Sequence, residues 1–318
     1  MKTKLFAVLA ALGMVASASA VKVNNNLSIN GFIDGSYANS DDGTAGGKSQ
    51  SLEIDEVEIN FNVNVGNVSG LIAVDTHSSI ADGSEATEGQ GLGIEQAHFT
   101  YNINDAVSVT FGRYGSALGF EREDPAGLYT YSRAYDSDAF NFGNVDANAV
   151  EGLTVAYSGD AYSVAVSLEN QAGAEGELET NDLDFEISFT YTGIAGVNIG
   201  GGFRIDNEAT AASETDAVNL HVSRQFGKLL LAGEYSELDK NGADSDAYMI
   251  LADYDVNNKL GVALRLSSEE QANGDYDKFT IAPNYAITES LGAILEYSDV
   301  DDEGQDSEEY AVELTYTF

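Results

Sequence analysis

The chain has 318 residues, with 14 Lys and Arg against 53 Asp and Glu, a formal charge of −39 and no cysteine. This acidity excludes nucleic acid as a partner, because phosphate backbones require basic patches, and the lack of cysteine excludes a disulfide framework and a lipoprotein acylation site. A mean hydropathy of −0.18 excludes a bundle of membrane helices, though not a barrel, whose strands show lipid only every second residue.

Met1–Ala20 reads as a secretory signal peptide that is cleaved. Lys2 and Lys4 precede the apolar run Leu5–Val15, and Ala18-Ser19-Ala20 offers small residues for cleavage. The run is too short to span a bilayer, which takes roughly 20 apolar residues. From there on the dominant signal has a period of two. Val57, Ile59, Phe61, Val63 and Val65 interleave with Glu58, Asn60, Asn62 and Asn64, and Leu183, Phe185, Ile187, Phe189 and Tyr191 interleave with Asp184, Glu186, Ser188 and Thr190. Such alternation gives a strand one apolar and one polar face. In chain order it predicts strands over 27–37, 52–65, 68–76, 94–103, 107–114, 150–157, 162–170, 182–191, 197–206, 216–226, 229–237, 246–254, 260–267, 277–285, 291–298 and 309–318. Most have the roughly 9–11 residues that a tilted transmembrane strand needs. The last places Tyr310, Val312, Leu314, Tyr316 and Phe318 on one face, resembling the closing strand of a bacterial outer-membrane barrel.

The connectors alternate in length. The short ones are Gly66-Asn67, Asn104–Ala106, Gly159-Asp160, Gly193–Gly196, Gly227-Lys228, Asp255–Lys259 and Ile287–Ser290. The long ones are Ala38–Ser51, His77–Gly93, Gly115–Ala149, Gln171–Asn181, Asn207–Thr215, Leu238–Ser245, Ser268–Tyr276 and Asp299–Glu308. A soluble sandwich has no reason to sort its loops in this way, whereas a barrel has short periplasmic turns and long extracellular loops. The expected architecture is therefore all-β: a 16-stranded antiparallel transmembrane barrel filling residues 21–318. Tyr101, Tyr157, Tyr191, Phe226, Tyr254, Tyr285 and Phe318 end strands that run toward the short turns, as an aromatic girdle requires. Arg224 falls on the outward face near that girdle, and Pro283 predicts a bulge or a frayed end, since it cannot donate to a ladder.

Closing sixteen strands leaves a lumen too wide for side chains to fill, so function rests on what narrows and charges it. Inward parity assigns Glu56, Glu58, Asp184, Glu186, Glu234 and Glu296 to the lumen, with Arg204 and Arg265 as its clear cations. An acidic, constricted passage favours cations. Loop Gly115–Ala149 is too long and too aromatic to hang free in water. It is expected to fold into the mouth as a constriction, with Glu121, Glu123, Asp124, Asp136 and Asp138 facing Arg204 and Arg265, while Arg122 and Arg133 pair locally. No catalytic constellation and no cofactor is expected. The three histidines form no ligand set, and the acidic run Asp299–Glu309 is at most a weak site for Ca²⁺ or Mg²⁺, since its spacing matches no EF-hand.

Three stretches, Ile94–Tyr101, Phe111–Glu121 and Tyr131-Ser-Arg133, resemble the Gram-negative porins, most of all the OmpL-like β-barrel porins. That resemblance implies a non-enzymatic outer-membrane channel for passive diffusion of ions and small hydrophilic solutes. It also implies lipid and lipopolysaccharide around the barrel, and a monomer or homotrimer. The Pro-Glu-Phe-Gly-Gly motif of the general trimeric porins is absent. The alternatives are a substrate-selective channel, for example for sugars, and a plugged barrel acting as surface receptor, adhesin or structural anchor.

Overall fold

The computed structural model describes residues 20–44, 47–76, 92–121, 125–137, 139–142, 149–171, 183–206, 215–240, 243–271 and 274–318. The signal-peptide assignment lies outside them except for Ala20. A two-residue strand β1 (Val21–Lys22) folds back on the first barrel strand. The barrel itself comprises β2 (Leu27–Asp41), β3 (Lys48–Val65), β4 (Val68–Thr76), β5 (Leu92–Asn102), β6 (Val107–Gly115), β7 (Ala149–Ser158), β8 (Tyr162–Gln171), β9 (Asp184–Tyr191) and β10 (Val197–Ile205). It continues with β11 (Thr215–Phe226), β12 (Leu229–Lys240), β13 (Ala243–Asp255), β14 (Leu260–Gln271), β15 (Gly274–Ala286), β16 (Leu291–Asp302) and β17 (Gln305–Thr317). Each strand pairs antiparallel with its neighbour in sequence, and β17 returns to pair with β2, so sixteen strands close without a free edge.

Closure runs from Glu308 opposite Asp41 to Thr317 opposite Phe32. Beyond it, Phe318 and Gly31 exchange two amide-to-carbonyl bonds of 3.0 Å each. In a bilayer every backbone donor and acceptor must find a protein partner, so the last residues complete the seam. Removing Tyr316–Phe318 is expected to abolish the heat-modifiable gel mobility of the folded barrel; unchanged mobility would show that the seam closes without them.

The packing is that of a soluble protein turned inside out. Phe99, Phe111, Leu220, Ile250 and Leu266 stand exposed on the outside, whereas Thr110, Thr280 and Ser298 are buried within, the last two hydrogen-bonded at 3.0 Å. Gly66 and Gly227 open their two-residue turns at φ of 64° and 62°, which glycine adopts without steric cost. Gly201 sits in mid-strand at φ 147°, where a Cβ would lie 2.1 Å from the Asn219 carbonyl oxygen. The substitution Gly201→Ala is expected to cost about 1–3 kcal/mol, read by urea unfolding in lipid.

All sixteen expected strands form, but four of the expected long loops do not. The stretches 38–51, 238–245, 268–276 and 299–308 are largely strand, and the last closes in a tight turn at Glu303 (φ 54°) and Gly304 (φ 82°). The reason is physical: above the bilayer a ladder can continue with polar residues on both faces, so apolar alternation marks only the lipid-embedded part. At Pro283 the ladder to β16 lapses over Ala282 and Pro283, then resumes at Asn284 in the same register, so neither a bulge nor a frayed end forms. The register shifts lie elsewhere, opposite Asp34/Gly35 and Ala73/Val74.

Candidate functional site

β6 ends at Gly115 and β7 begins at Ala149. Of this connection, Ser116–Glu121, Pro125–Ser137 and Ala139–Phe142 are described. Its polar groups are satisfied mainly by carboxylates of the wall. Ser116 Oγ and the Ala117 amide donate to the two oxygens of Glu186 on β9, at 2.6 and 2.8 Å. The Gly119 amide donates to Asn219 Oδ1 on β11 at 3.2 Å, and the Phe120 amide to Glu234 Oε1 on β12 at 2.6 Å. Farther along, the Ser132 amide donates to Glu296 on β16, and the amides of Asp136 and Ser137 donate to Glu269 on β14. Ser36 Oγ of β2 donates to the Tyr131 hydroxyl at 3.1 Å. These partners lie on well-separated strands of the wall, so the segment crosses the lumen.

Arg265 of β14 is the hub of these contacts. Its Nη1 donates to Glu121 Oε1 and Thr130 Oγ1, each at 2.7 Å, and its Nη2 donates to Ser132 Oγ at 3.1 Å and the Arg133 carbonyl at 2.7 Å. Glu121 Oε2 accepts the Ala134 amide at 2.9 Å, which ties the two arms of the loop together. Around this hub lies an apolar cluster. Leu118, Ala134, Tyr135, Phe140 and Phe142 pack against inward Ala217, Ala232, Met249, Leu251, Ala263 and Ala282. Burial, reinforced by neighbouring carboxylates, holds the phenols of Tyr131 and Tyr135 above their usual pKa range. Both hydroxyls stay neutral, and that of Tyr135 donates to Glu234 Oε2 at 3.2 Å.

The expected site residues separate into distinct groups. Glu121 meets Arg265 directly, while Arg204 turns to its wall neighbour Asp184 at 3.0 Å rather than to the loop. Glu186, Glu234 and Glu296 end on loop donors. The side chain of Asp136 is exposed, and only its amide takes part. Glu123, Asp124 and Asp138 lie outside the described residues, as does Arg122. Glu269 escaped the sequence reading because it fell in an apparent loop; Lys278, which pairs with Glu309 at 3.3 Å, lay inside the expected strand 277–285 and was not named among the lumen cations. The apolar inward residues of β11–β15 were the overlooked signal. Ala217, Ala232, Ala247, Met249, Leu251 and Ala263 have the parity that elsewhere carries polar groups, and together they mark where something apolar docks.

The opposite wall is acidic. Asp34 stands across from Glu56 and Glu58 from Asp75, while Glu313 stands across from Ser36 next to Asp34. Like charges directly opposed on neighbouring strands repel. Both register shifts fall here, and they insert Asp55 and Glu95 as extra residues, turning two further carboxylates toward an already acidic wall. Above the loop, a cavity of about 220 Å³ at the mouth is lined by Ser40, Ser51, Tyr131, Glu296 and Glu309 among others. Among the described residues, no group of His, Asp and Glu is arranged to hold a metal ion.

Over residues 6–318 the sequence matches the family model described as Gram-negative porin. The chain belongs to that family. The porin is similar in fold to OmpF of Salmonella typhi, solved with daunomycin, at TM-score 0.72 and 13% identity over 94% of this chain and 100% of that one. It is also similar to an anion-selective porin from Comamonas acidovorans, at TM-score 0.67 and 12% identity over 92% and 99% of the two chains. A third similar structure is OmpT of Vibrio cholerae in its trimer form, at TM-score 0.60 and 14% identity over 92% and 99%. No curated protein matches the chain in sequence. The porin is thus an outer-membrane channel for passive diffusion.

Proposed function

We propose that this porin is a cation-preferring, non-enzymatic diffusion channel for ions and small hydrophilic solutes, with loop Gly115–Ala149 as its constriction. The observation that carries this reading is the distribution of lumen charge. Arg204, Arg265 and Lys278 are each paired with a carboxylate, at 3.0, 2.7 and 3.3 Å. Asp34, Glu56, Glu58, Asp75 and Glu313 are massed on the adjoining strands β17, β2, β3 and β4, whose described residues include no inward Lys or Arg. In a narrow passage with low-dielectric walls such an imbalance focuses a negative potential. The test is single-channel recording in a planar bilayer under a KCl gradient. Stable steps with a cation-selective reversal potential are expected, and steps in threes would favour a trimer, the form in which the similar OmpT occurs. Anion preference would discard the carboxylate mechanism, and an inserted barrel without conductance would favour a plugged receptor or anchor.

One observation favours the substrate-selective alternative as a second reading. Phe120 and Tyr129 are only partly buried, with rings 8° from parallel and centroids 6.3 Å apart, and His221 lies 6.0 Å from Phe120. Such a surface suits the apolar face of a sugar ring. Sugar-induced current blockage that disappears in Phe120→Ala would support it, and sugars that leave the current steady would remove it.

A further inference from the structure

Cations are scarce in this porin, yet three of its 14 Lys and Arg converge on one sector of the short-turn rim. Arg224, near the end of β11, lies with its guanidinium 4.5 Å from the centroid of the Phe226 ring. Lys228, in the β11–β12 turn, donates from Nζ to the Val256 carbonyl at 2.9 Å, reaching sideways to the turn that follows β13. Lys259, in that next turn, donates from Nζ to the Ile287 carbonyl at 3.2 Å and lies 5.8 Å from the Tyr285 ring centroid. Each lysine thus spans to the neighbouring turn, and all three side chains are exposed. They form one row along the rim from β11 to β15.

The surroundings identify what this row meets. Above it the outer face is continuously apolar, with Leu220, Val222, Leu231, Ile250, Leu264 and Leu266 all exposed. Acyl chains cover such a face, and the aromatic rings beside the cations lie at headgroup depth. Phe226 and Tyr285 each carry a cation against their ring, an arrangement that holds the charge at a fixed height. The carboxylates of this rim are Asp255, on the lumen parity of β13, and Glu289, in the β15–β16 turn. The turns after β5 and β7 carry Asp105 and Asp160 and no cation. Short turns face the periplasm, where the leaflet is phospholipid.

We propose that Arg224, Lys228 and Lys259 form a binding site for the phosphate groups of anionic glycerophospholipids in the periplasmic leaflet. A chain with a net charge of −39 should otherwise repel such lipids. Selective retention of an anionic lipid is therefore the opposite of what overall charge dictates, and the row accounts for it through local attraction within a Debye length.

The experiment reconstitutes the full porin in nanodiscs of phosphatidylethanolamine containing a minority of phosphatidylglycerol and measures retained lipid by native mass spectrometry. The wild type is expected to retain phosphatidylglycerol over phosphatidylethanolamine by roughly tenfold or more. The triple variant Arg224→Gln, Lys228→Gln, Lys259→Gln is expected to lose this preference while keeping its conductance. Equal retention of the two lipids by the wild type, or an undiminished preference in the variant, overturns the proposal. Should the triple variant fail to insert, the salt dependence of the wild type decides. The preference should collapse between low salt and about 1 M, where the Debye length shrinks to about 3 Å, and indifference to salt refutes the site.

Discussion

Replacing Arg265 by Met is expected to release the loop from the wall, giving larger, noisier single-channel currents and exposing the bond after Arg133 to trypsin. Arg265 is essentially buried, and its four donated hydrogen bonds go to Glu121, Thr130, Ser132 and Arg133. Without it the largely buried Glu121 carboxylate is left without its cation, and losing one partner of a buried pair costs about 3–5 kcal/mol. That cost exceeds what the remaining amide bonds supply individually, at about 1.5–3 kcal/mol for bonds to charged groups. The double variant Glu121→Gln, Arg265→Met separates charge from architecture. It removes the orphaned carboxylate and keeps an amide oxygen to accept from Ala134, so partial recovery of the wild-type current is expected. A single variant with wild-type current and unaltered trypsin resistance would show that the other wall carboxylates hold the loop without this hub.

The second large effect concerns selectivity. Exchanging Glu56, Glu58 and Glu313 for Gln and Asp75 for Asn is expected to move the reversal potential under a KCl gradient most of the way to zero. These side chains lie on β17, β3 and β4, around Asp34 of the intervening β2. Among the described residues the three strand cations of the lumen, Arg204, Arg265 and Lys278, already have carboxylate partners, so the acidic wall is expected to dominate the field. The difference between wild type and variant should be largest at about 0.1 M salt, where the Debye length is about 10 Å, and should shrink toward about 1 M. The exchange leaves Glu186, Glu234, Glu269 and Glu296, which accept from loop amides, unchanged, so conductance at high salt should stay close to that of the wild type. A reversal potential unmoved by all four changes would shift the selectivity filter to the mouth, with Glu309 of β17 the first residue to change.

The barrel was legible because alternation is a local property. Val57, Ile59 and Phe61 can face lipid only if Glu58 and Asn60 face inward, and the same logic repeats strand after strand. It failed where the constraint was lifted. Above the bilayer, residues such as Asp299–Glu308 pair with polar side chains on both faces, so strands continued where a loop was expected, and Glu269 was displaced from loop to wall. The inserted residues Asp55 and Glu95 interrupt the alternation by one position each, a deviation that a strictly periodic reading passes over.

By itself, then, the sequence determined the number of strands, their order, the face each turns to lipid and the position of one uncommonly long connection. The tertiary structure alone decided how that connection is held. Its anchors are far apart in the chain, 144 positions between Glu121 and Arg265 and 164 between Ser132 and Glu296. The physical reason is that a period of two is enforced by nearest neighbours in a pleated strand, whereas the pairing of a loop amide with a wall carboxylate depends on the curvature that brings distant strands around the same lumen. No local pattern encodes that curvature, so Glu186, Glu234 and Glu296 read as charges of an open passage until the closed barrel set loop donors against them.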